Sequence, residues 1–110
     1  MKRGDVVVVA LPGDLGKPRP AVIVQADVLT DNLRTIMLCP ISSFSSDPSF
    51  FRVPVEPTPE NGLRLPSEFM VEKLQAANRT RISEVIGRLD DLTLRKPARS
   101  LTIALGLTEV

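Results

Sequence analysis

The chain has 110 residues, of which 43% are hydrophobic and 25% charged, a composition that favours one globular domain (residues 1–110) and argues against disorder. The formal net charge of +1 argues against nucleic-acid binding through a large basic field, but it leaves room for a local basic patch. With one cysteine and no histidine, the chain excludes an internal disulfide, the usual Cys/His zinc sites and a Cys–His nucleophile.

No apolar run approaches the length of a membrane span, and the first residues lack the pattern of a signal peptide. We therefore expect a cytosolic protein without contact to a membrane. Cys39 lies in an apolar run and is predicted to be a buried structural thiol.

The first predicted elements are two strands joined by a loop. Residues 6–10 are β-branched and apolar, which predicts a buried strand. Two glycines and two prolines in residues 11–18 indicate a loop, and residues 21–25 read as the second strand. Pro20 cannot donate to a strand ladder, so we expect it at the first position of that strand or at an edge.

The next stretch alternates between polar turns and strands. Residues 26–32 predict a polar turn region, and residues 33–41 predict the third strand. Residues 42–49, rich in serine, predict a flexible loop. Residues 50–56 alternate apolar and polar side chains, as in an edge strand with one wet face.

Four further elements precede the C-terminal region. Residues 57–62 predict a turn that ends in an Asn-Gly pair suited to positive φ. Residues 67–74 predict a fifth strand, residues 78–83 a short helical turn, and residues 84–88 a short strand.

The C-terminal region predicts a helix. Its apolar side chains recur at spacings of four and three: Leu94, Ala98, Leu101 and Leu105. Asp90 or Asp91 is suited to cap a helix, while Pro97 interrupts the pattern. A helix that begins near Pro97 is the favoured interpretation, and a longer helix that kinks there is the alternative. The whole chain thus predicts a mainly β fold of about five strands with a C-terminal helix.

The sequence lacks the usual signatures of metal, phosphate-loop and serine-hydrolase enzymes, so we predict neither a metal nor another cofactor. What remains are arginines, loop serines and a few carboxylates, which suit phosphate chemistry. RNA is such a substrate, because its own 2′-hydroxyl can attack the neighbouring phosphate. A guanidinium such as that of Arg19 would stabilise the developing charge.

Several short motifs follow one another along nearly the whole chain. An Arg-Gly-Asp opening leads into an apolar strand at residues 3–9, and an Arg-Pro strand ends in a polar pair at residues 19–27. A Pro-Ile-Ser segment follows at residues 40–42, an acidic strand end lies within residues 66–73, and further segments lie at residues 78–82, 86–89 and 104–107. In their order and spacing these motifs resemble the MazF/PemK family of toxin ribonucleases.

The resemblance implies a small twisted SH3-like barrel of about five to six strands with a C-terminal helix. It implies a homodimer that cleaves single-stranded RNA at short sequences without a metal and leaves a cyclic phosphate and a 5′-hydroxyl. It also implies a cognate antitoxin whose acidic C-terminal segment occupies the RNA groove.

Carried over residue by residue, the family pattern implies three catalytic residues. They are Arg19 as the cation at the phosphate, Ser42 as the hydroxyl, with Ser43 next if the register slips, and Glu72 as the acidic residue. Further candidates for RNA binding are Lys17, Ser43, Phe44, Lys73 and Arg79. Phe44 is the candidate for stacking on a base.

Each assignment has a structural alternative. Arg19 could stabilise a tight turn, and Ser42 could bond its own backbone. Glu72 could form an ion pair with Arg34 or Arg79. This chain departs from the family pattern at Lys73 and has no loop histidine, which leaves the acid and base open.

Two other functions compete with RNA cleavage. The CcdB proteins of the same fold poison DNA gyrase through a tail that contains tryptophan, and this chain has no tryptophan. A peptide-binding SH3-like module usually presents an aromatic groove, whereas aromatic residues make up only 4% here.

Overall fold

The computed structural model describes residues 1–13, 16–43 and 51–108. Within these ranges the chain forms seven strands, two helices and two single 3-10 turns. The strands are β1 Asp5–Ala10, β2 Pro18–Ile23, β3 Thr35–Ser43, β4 Arg52–Val55, β5 Ser67–Met70, β6 Gln75–Asn78 and β7 Ile82–Arg88. The helices are α1 Asp27–Thr30 and α2 Asp91–Ala104, and the 3-10 turns are Val71–Lys73 and Arg79–Arg81.

All seven strands belong to one antiparallel sheet. Six of them follow the order β4-β5-β3-β2-β1-β7, and β6 pairs with β3 beside this path. The long strand β3 organises it, because its first half pairs with β6, its middle with β2 and its end with β5. The predicted mainly β fold with a C-terminal helix is confirmed, with more strands than the sequence indicated.

Both faces of the sheet carry a hydrophobic core. On β1, Val6 belongs to a cluster with Phe69 and Leu101, whereas Val7 and Val9 belong to a second cluster on the opposite face. Side chains along a strand alternate between faces. The unbroken apolar run at residues 6–10 is therefore explained by a strand buried on both sides, as predicted.

The Arg-Gly-Asp segment at residues 3–5 connects β1 to the strands on either side of it. Gly4 has φ +93°, its N–H donates to the carbonyl of Ile23 (2.8 Å), and its own carbonyl accepts from the N–H of Leu89 (2.9 Å). Asp5 pairs with Arg88 across 3.0 Å. The opening thus ties β1 to β2 and β7.

Two segments differ from the structure that the sequence predicted for them. Ser42 and Ser43 belong to β3, so the prediction of a loop was wrong for these two residues. They extend the strand because they pair with Glu68 and Ser67 of β5, whose backbone supplies their hydrogen-bond partners. The rest of the predicted serine-rich loop lies outside the described residues. Residues 26–32 contain the short helix Asp27–Thr30 rather than only a turn.

The predicted strand 67–74 was wrong beyond Met70. The N–H of Val71 donates to the carbonyl of Phe51 (2.9 Å), and the N–H of Leu74 donates back to the carbonyl of Val71 (3.2 Å). The chain therefore turns at Val71–Lys73, and β6 leaves this turn to pair with the first half of β3.

Other local predictions are confirmed, except for the start of the second strand. The second strand begins at Pro18 rather than at residue 21, so Pro20 is its third residue and not its first. The edge position expected for Pro20 is present locally, because Pro20 pairs with Val8 of β1 whereas the pairing of β2 with β3 begins only at Ala21. The edge strand appears as β4. The helical turn is capped by Asn78, whose side chain accepts from the N–H of Thr80 (3.0 Å).

The favoured start of the C-terminal helix near Pro97 was wrong. Asp90 caps α2 by accepting from the N–H of Thr93 (2.7 Å), so the helix begins six residues earlier and contains Pro97. Proline removes one internal hydrogen bond, but here its ring is buried, and that packing offsets part of the cost. The buried stripe is Leu94, Pro97 and Leu101, whereas Leu105 is 57% exposed. In the described part of the chain, no helix has the length and apolarity needed to cross a membrane.

Candidate functional site

A groove with a volume of about 670 Å³ opens where β2, β3 and β7 meet the segment between β4 and β5. The residues that line it include charged and hydroxyl side chains from all four pieces of chain: Lys17, Arg19, Ser42, Ser43, Arg64, Ser67 and Glu84. Four of the residues proposed from sequence, Lys17, Arg19, Ser42 and Ser43, therefore share one groove.

Arg19 lies in β2, where it pairs with Val9. It lines the large groove and also a smaller depression of about 160 Å³, whose other lining residues include Lys73. Arg19 thus stands between the two depressions. Lys73, a sequence candidate for RNA binding, lies on the far side of it.

Ser42 and Ser43 are fixed by strand pairing rather than by a loop. Ser42 lies opposite Glu68 in the register between β3 and β5, and its hydroxyl donates to the carbonyl of Ser43 (3.3 Å). The local backbone bond that sequence reasoning weighed for Ser42 is therefore present. Its oxygen still has capacity to accept a hydrogen bond from a ligand.

The charge of the groove is positive although the whole chain is nearly neutral. Lys17, Arg19 and Arg64 line it, against the single carboxylate of Glu84 among its described residues. Such a local excess of cations favours a polyanionic ligand. The local basic patch that the composition left open is therefore present among the described residues.

Sequence reasoning missed Arg64, Ser67 and Glu84. Arg64 follows the Asn61-Gly62 turn, whose buried Asn61 side chain accepts from the N–H groups of Thr58 and Leu63. The turn signal alone could have drawn attention to Arg64. No local signal marks Glu84, because only the pairing of β7 with β1 brings it to the groove.

Glu72 lies in the 3-10 turn after β5 and is not among the residues that line either depression. Its carboxylate accepts from Nε of Arg52 at 2.8 and 3.0 Å, and Nη1 of Arg52 also donates to the buried Glu68 (3.3 Å). Hydrogen bonding to Glu72 raises the pKa of the Arg52 guanidinium. The structural alternative for Glu72, an ion pair, is present, but with Arg52 instead of Arg34 or Arg79.

Arg79 is engaged with the backbone. Its Nη2 donates to the carbonyls of Thr30 and Leu33, the latter at 2.9 Å, and so joins the end of α1 and the loop after it to the Arg79–Arg81 turn. Arg79 lines neither depression. Phe44, proposed for base stacking, lies outside the described residues.

Two further groups bear on the chemistry. Burial, and secondarily the charge of Glu72, raises the pKa of the Cys39 thiol to about 12, so this side chain stays neutral and is no nucleophile. Within residues 1–13, 16–43 and 51–108, no group of three or more His, Cys, Asp or Glu side chains is placed to hold a metal ion.

Residues 2–105 match the family model described as PemK-like, MazF-like toxin of type II toxin-antitoxin system. The chain is also similar to a protein of Mycolicibacterium smegmatis named "Probable endoribonuclease MazF". The two are 32% identical over 108 residues, which cover 97% of this chain and 98% of the relative.

Solved structures share the fold. An endoribonuclease in complex with its cognate antitoxin, from a mycobacterial species, superposes with a TM-score of 0.83 at 17% identity and covers 100% of this chain and 99% of its own. The Mycobacterium tuberculosis toxin MazF-mt6 gives 0.80 at 23% identity, with 96% and 99% covered. A MazE-MazF structure from Deinococcus radiodurans gives 0.80 at 18%, with 98% and 97% covered.

Proposed function

The chain belongs to the PemK-like, MazF-like toxins of type II toxin–antitoxin systems, and we propose that it is an endoribonuclease that cuts single-stranded RNA. The observation that carries the proposal is the groove that Arg19, Ser42 and Ser43 line together. Lys17 and Arg64 add positive charge to the same surface. This arrangement suits a phosphodiester held among cations.

The proposed reaction is attack of the RNA 2′-hydroxyl on the adjacent phosphorus. The new bond joins the 2′-oxygen to phosphorus, and the bond from phosphorus to the 5′-oxygen breaks, which leaves a 2′,3′-cyclic phosphate and a 5′-hydroxyl. Arg19 binds the non-bridging oxygens, where negative charge accumulates, and keeps its own proton. A hydroxyl of Ser42 or Ser43 orients the same phosphate.

For Glu72 to act as the base, Arg52 would have to release its carboxylate, which it holds through two short hydrogen bonds. Lys73 is better placed for RNA, because it lines the depression that adjoins Arg19. We propose that the RNA backbone runs from the large groove past Arg19 toward Lys73. On this path Arg79 contributes by holding the backbone around α1 rather than by contacting RNA.

The same cationic groove suits a cognate antitoxin that inserts an acidic C-terminal segment, since carboxylates pair with the guanidinium of Arg19 and the amine of Lys17. We further propose that the toxin works in the cytoplasm as a homodimer, without a metal and without the ribosome, and cuts mRNA at a short sequence. Toxicity then requires that the antitoxin be removed from the groove.

The decisive experiment maps the ends produced when the purified chain is incubated with a long single-stranded RNA in the presence of EDTA. Expected are discrete cuts at one short sequence, each with a cyclic phosphate and a 5′-hydroxyl. Arg19→Ala should lower the rate about 10²- to 10³-fold while its circular dichroism spectrum and melting temperature stay those of the wild type.

Two results would overturn the proposal. One is cleavage at the normal rate by a folded Arg19→Ala variant, which would remove Arg19 from the mechanism. The other is inhibition of DNA gyrase supercoiling without any RNA cut, which would transfer the chain to the gyrase-poisoning class.

A further inference from the structure

The proposed cleavage needs a group that takes the proton of the attacking 2′-hydroxyl, and the groove contains one carboxylate among its described lining residues, that of Glu84. We infer that Glu84 is the general base. This inference rests on the proposed function and goes beyond the family pattern, which pointed to Glu72.

Strand pairing places Glu84 on the row of residues that crosses the groove. Val8 of β1 pairs with Pro20 on one side and with Glu84 on the other, so the three side chains project from the same face. Neighbouring strands lie roughly 4.8 Å apart, which puts the backbones of Pro20 and Glu84 about 10 Å from each other. Glu84 thus lines the groove from β7, across β1 from Pro20.

A bulge in β7 sets this position. From Val7 to Val9 the partners run from Val85 to Ile82, so β7 advances by one residue more than β1. The extra residue is Ser83, whose hydroxyl donates to the carbonyl of Val8 (3.3 Å). Bulges re-aim the side chains beside them, and here the adjacent side chain is Glu84.

The Glu84 carboxylate differs from those of Glu68 and Glu72 in its hydrogen bonding. Its side chain is exposed and makes no hydrogen bond or ion pair with any residue that the structure describes. Glu68 and Glu72, by contrast, are both bound by Arg52. Among the described residues, the other charged groups that line the groove are Lys17, Arg19 and Arg64, all of them cations.

The proposed step moves two protons and breaks one bond from phosphorus to oxygen as another forms. The Glu84 carboxylate accepts the 2′-hydroxyl proton as the 2′-oxygen bonds to phosphorus. The 5′-oxygen leaves with the electron pair of its bond to phosphorus and takes a proton from solvent water. Glu84 then returns its proton to solvent, so the protein is regenerated and no other reactant is consumed.

The test compares variants of three acidic residues, Glu84, Glu60 and Glu72, on a short RNA that contains a mapped cleavage sequence. Glu84→Gln keeps the shape of the side chain but removes the base, and kcat should fall about 10²- to 10⁴-fold while KM changes little. The acid limb of the kcat–pH profile should disappear in this variant, and Glu84→Asp should restore part of kcat. Glu60→Gln, on the exposed turn between β4 and β5, is the matched control and should behave like the wild type.

Three outcomes would overturn the inference: an unchanged kcat in Glu84→Gln, a change confined to KM or to the preferred sequence, or a loss of kcat in Glu72→Gln instead. The second would make Glu84 a reader of bases. In each case the wild-type chain still cuts RNA, so the proposed function survives. If the wild type cuts no RNA, the proposed function itself fails.

Discussion

Arg52 binds both carboxylate oxygens of Glu72 through its Nε atom, at 2.8 and 3.0 Å, and so occupies the acidic group that the family pattern assigns to catalysis. The same guanidinium reaches Glu68, whose side chain is only 2% exposed. Arg52, on the edge strand β4, therefore forms ion pairs with two carboxylates that lie four residues apart in the sequence.

Replacing Arg52 with leucine should lower the free energy of unfolding by about 2 kcal/mol, because the buried Glu68 then loses its ion pair with Arg52. Urea denaturation at neutral pH measures this. Glu72→Gln is the control at the exposed end of the network, where the side chain is 39% exposed. It should cost less than about 1 kcal/mol. Equal losses in the two variants would contradict the role given to Glu68.

The Cys39 thiol should make stability fall at high pH. Its pKa is raised from 9.0 to about 12 by burial, so the folded chain keeps the proton that the unfolded chain loses. The stabilising contribution is therefore complete below pH 9.0 and is lost as the pH rises from there through about 12. The slope approaches about 1.4 kcal/mol per pH unit.

Urea denaturation at a series of alkaline pH values measures that slope. The Cys39→Ala variant should show a shallower decline above pH 9.0 than the wild type does. Parallel curves for the two proteins would show that Cys39 does not titrate on unfolding in this range.

Gly62 should tolerate no side chain. It has φ +72°, and a Cβ atom there would lie 2.2 Å from the carbonyl oxygen of Ile86, in the wall of the groove. Gly16 has a similar φ of +75° but open space around it. Gly16→Ala should therefore cost about 1–2 kcal/mol of stability, for the backbone alone.

Gly62→Ala should cost about 2 kcal/mol more than Gly16→Ala, because the backbone of β7 must shift. Thermal unfolding of the two variants compares them directly. Similar melting temperatures for the two variants would show that the backbone of β7 moves away from residue 62 at little cost in free energy.

Arg64 should contribute to RNA binding through its charge. Arg64→Ala should weaken binding of a 2′-O-methyl RNA, which cannot be cut. It should also reduce the slope of log affinity against log salt by about 0.7. Fluorescence anisotropy across a salt series measures both effects. Arg99→Ala, exposed on α2 and away from the groove, should leave the slope unchanged; an equal change in the two variants would mean that only net charge matters.

Local patterns in the sequence predicted elements well where one short segment carried the whole signal. The apolar run at residues 6–10 became β1, and Asp90 caps α2 as one of the two aspartates considered. The patterns failed where distant partners decided the outcome. Ser42 and Ser43 extend β3 because β5 pairs with them, and the strand after Met70 stops because Val71 bonds to Phe51.

By itself, the sequence determined the family and the mainly β class and predicted a catalytic role for Arg19, because these depend on the order of motifs and on residue chemistry along the chain. Only the tertiary structure decided which carboxylate faces the Arg19 groove. Glu72 is adjacent to candidate residues in sequence, yet the turn at Val71–Lys73 directs it to Arg52. Glu84 is distant in sequence, yet pairing with Val8 brings it to the groove. The physical reason is that strand register and a one-residue bulge set side-chain direction, and both arise from hydrogen bonds between remote segments.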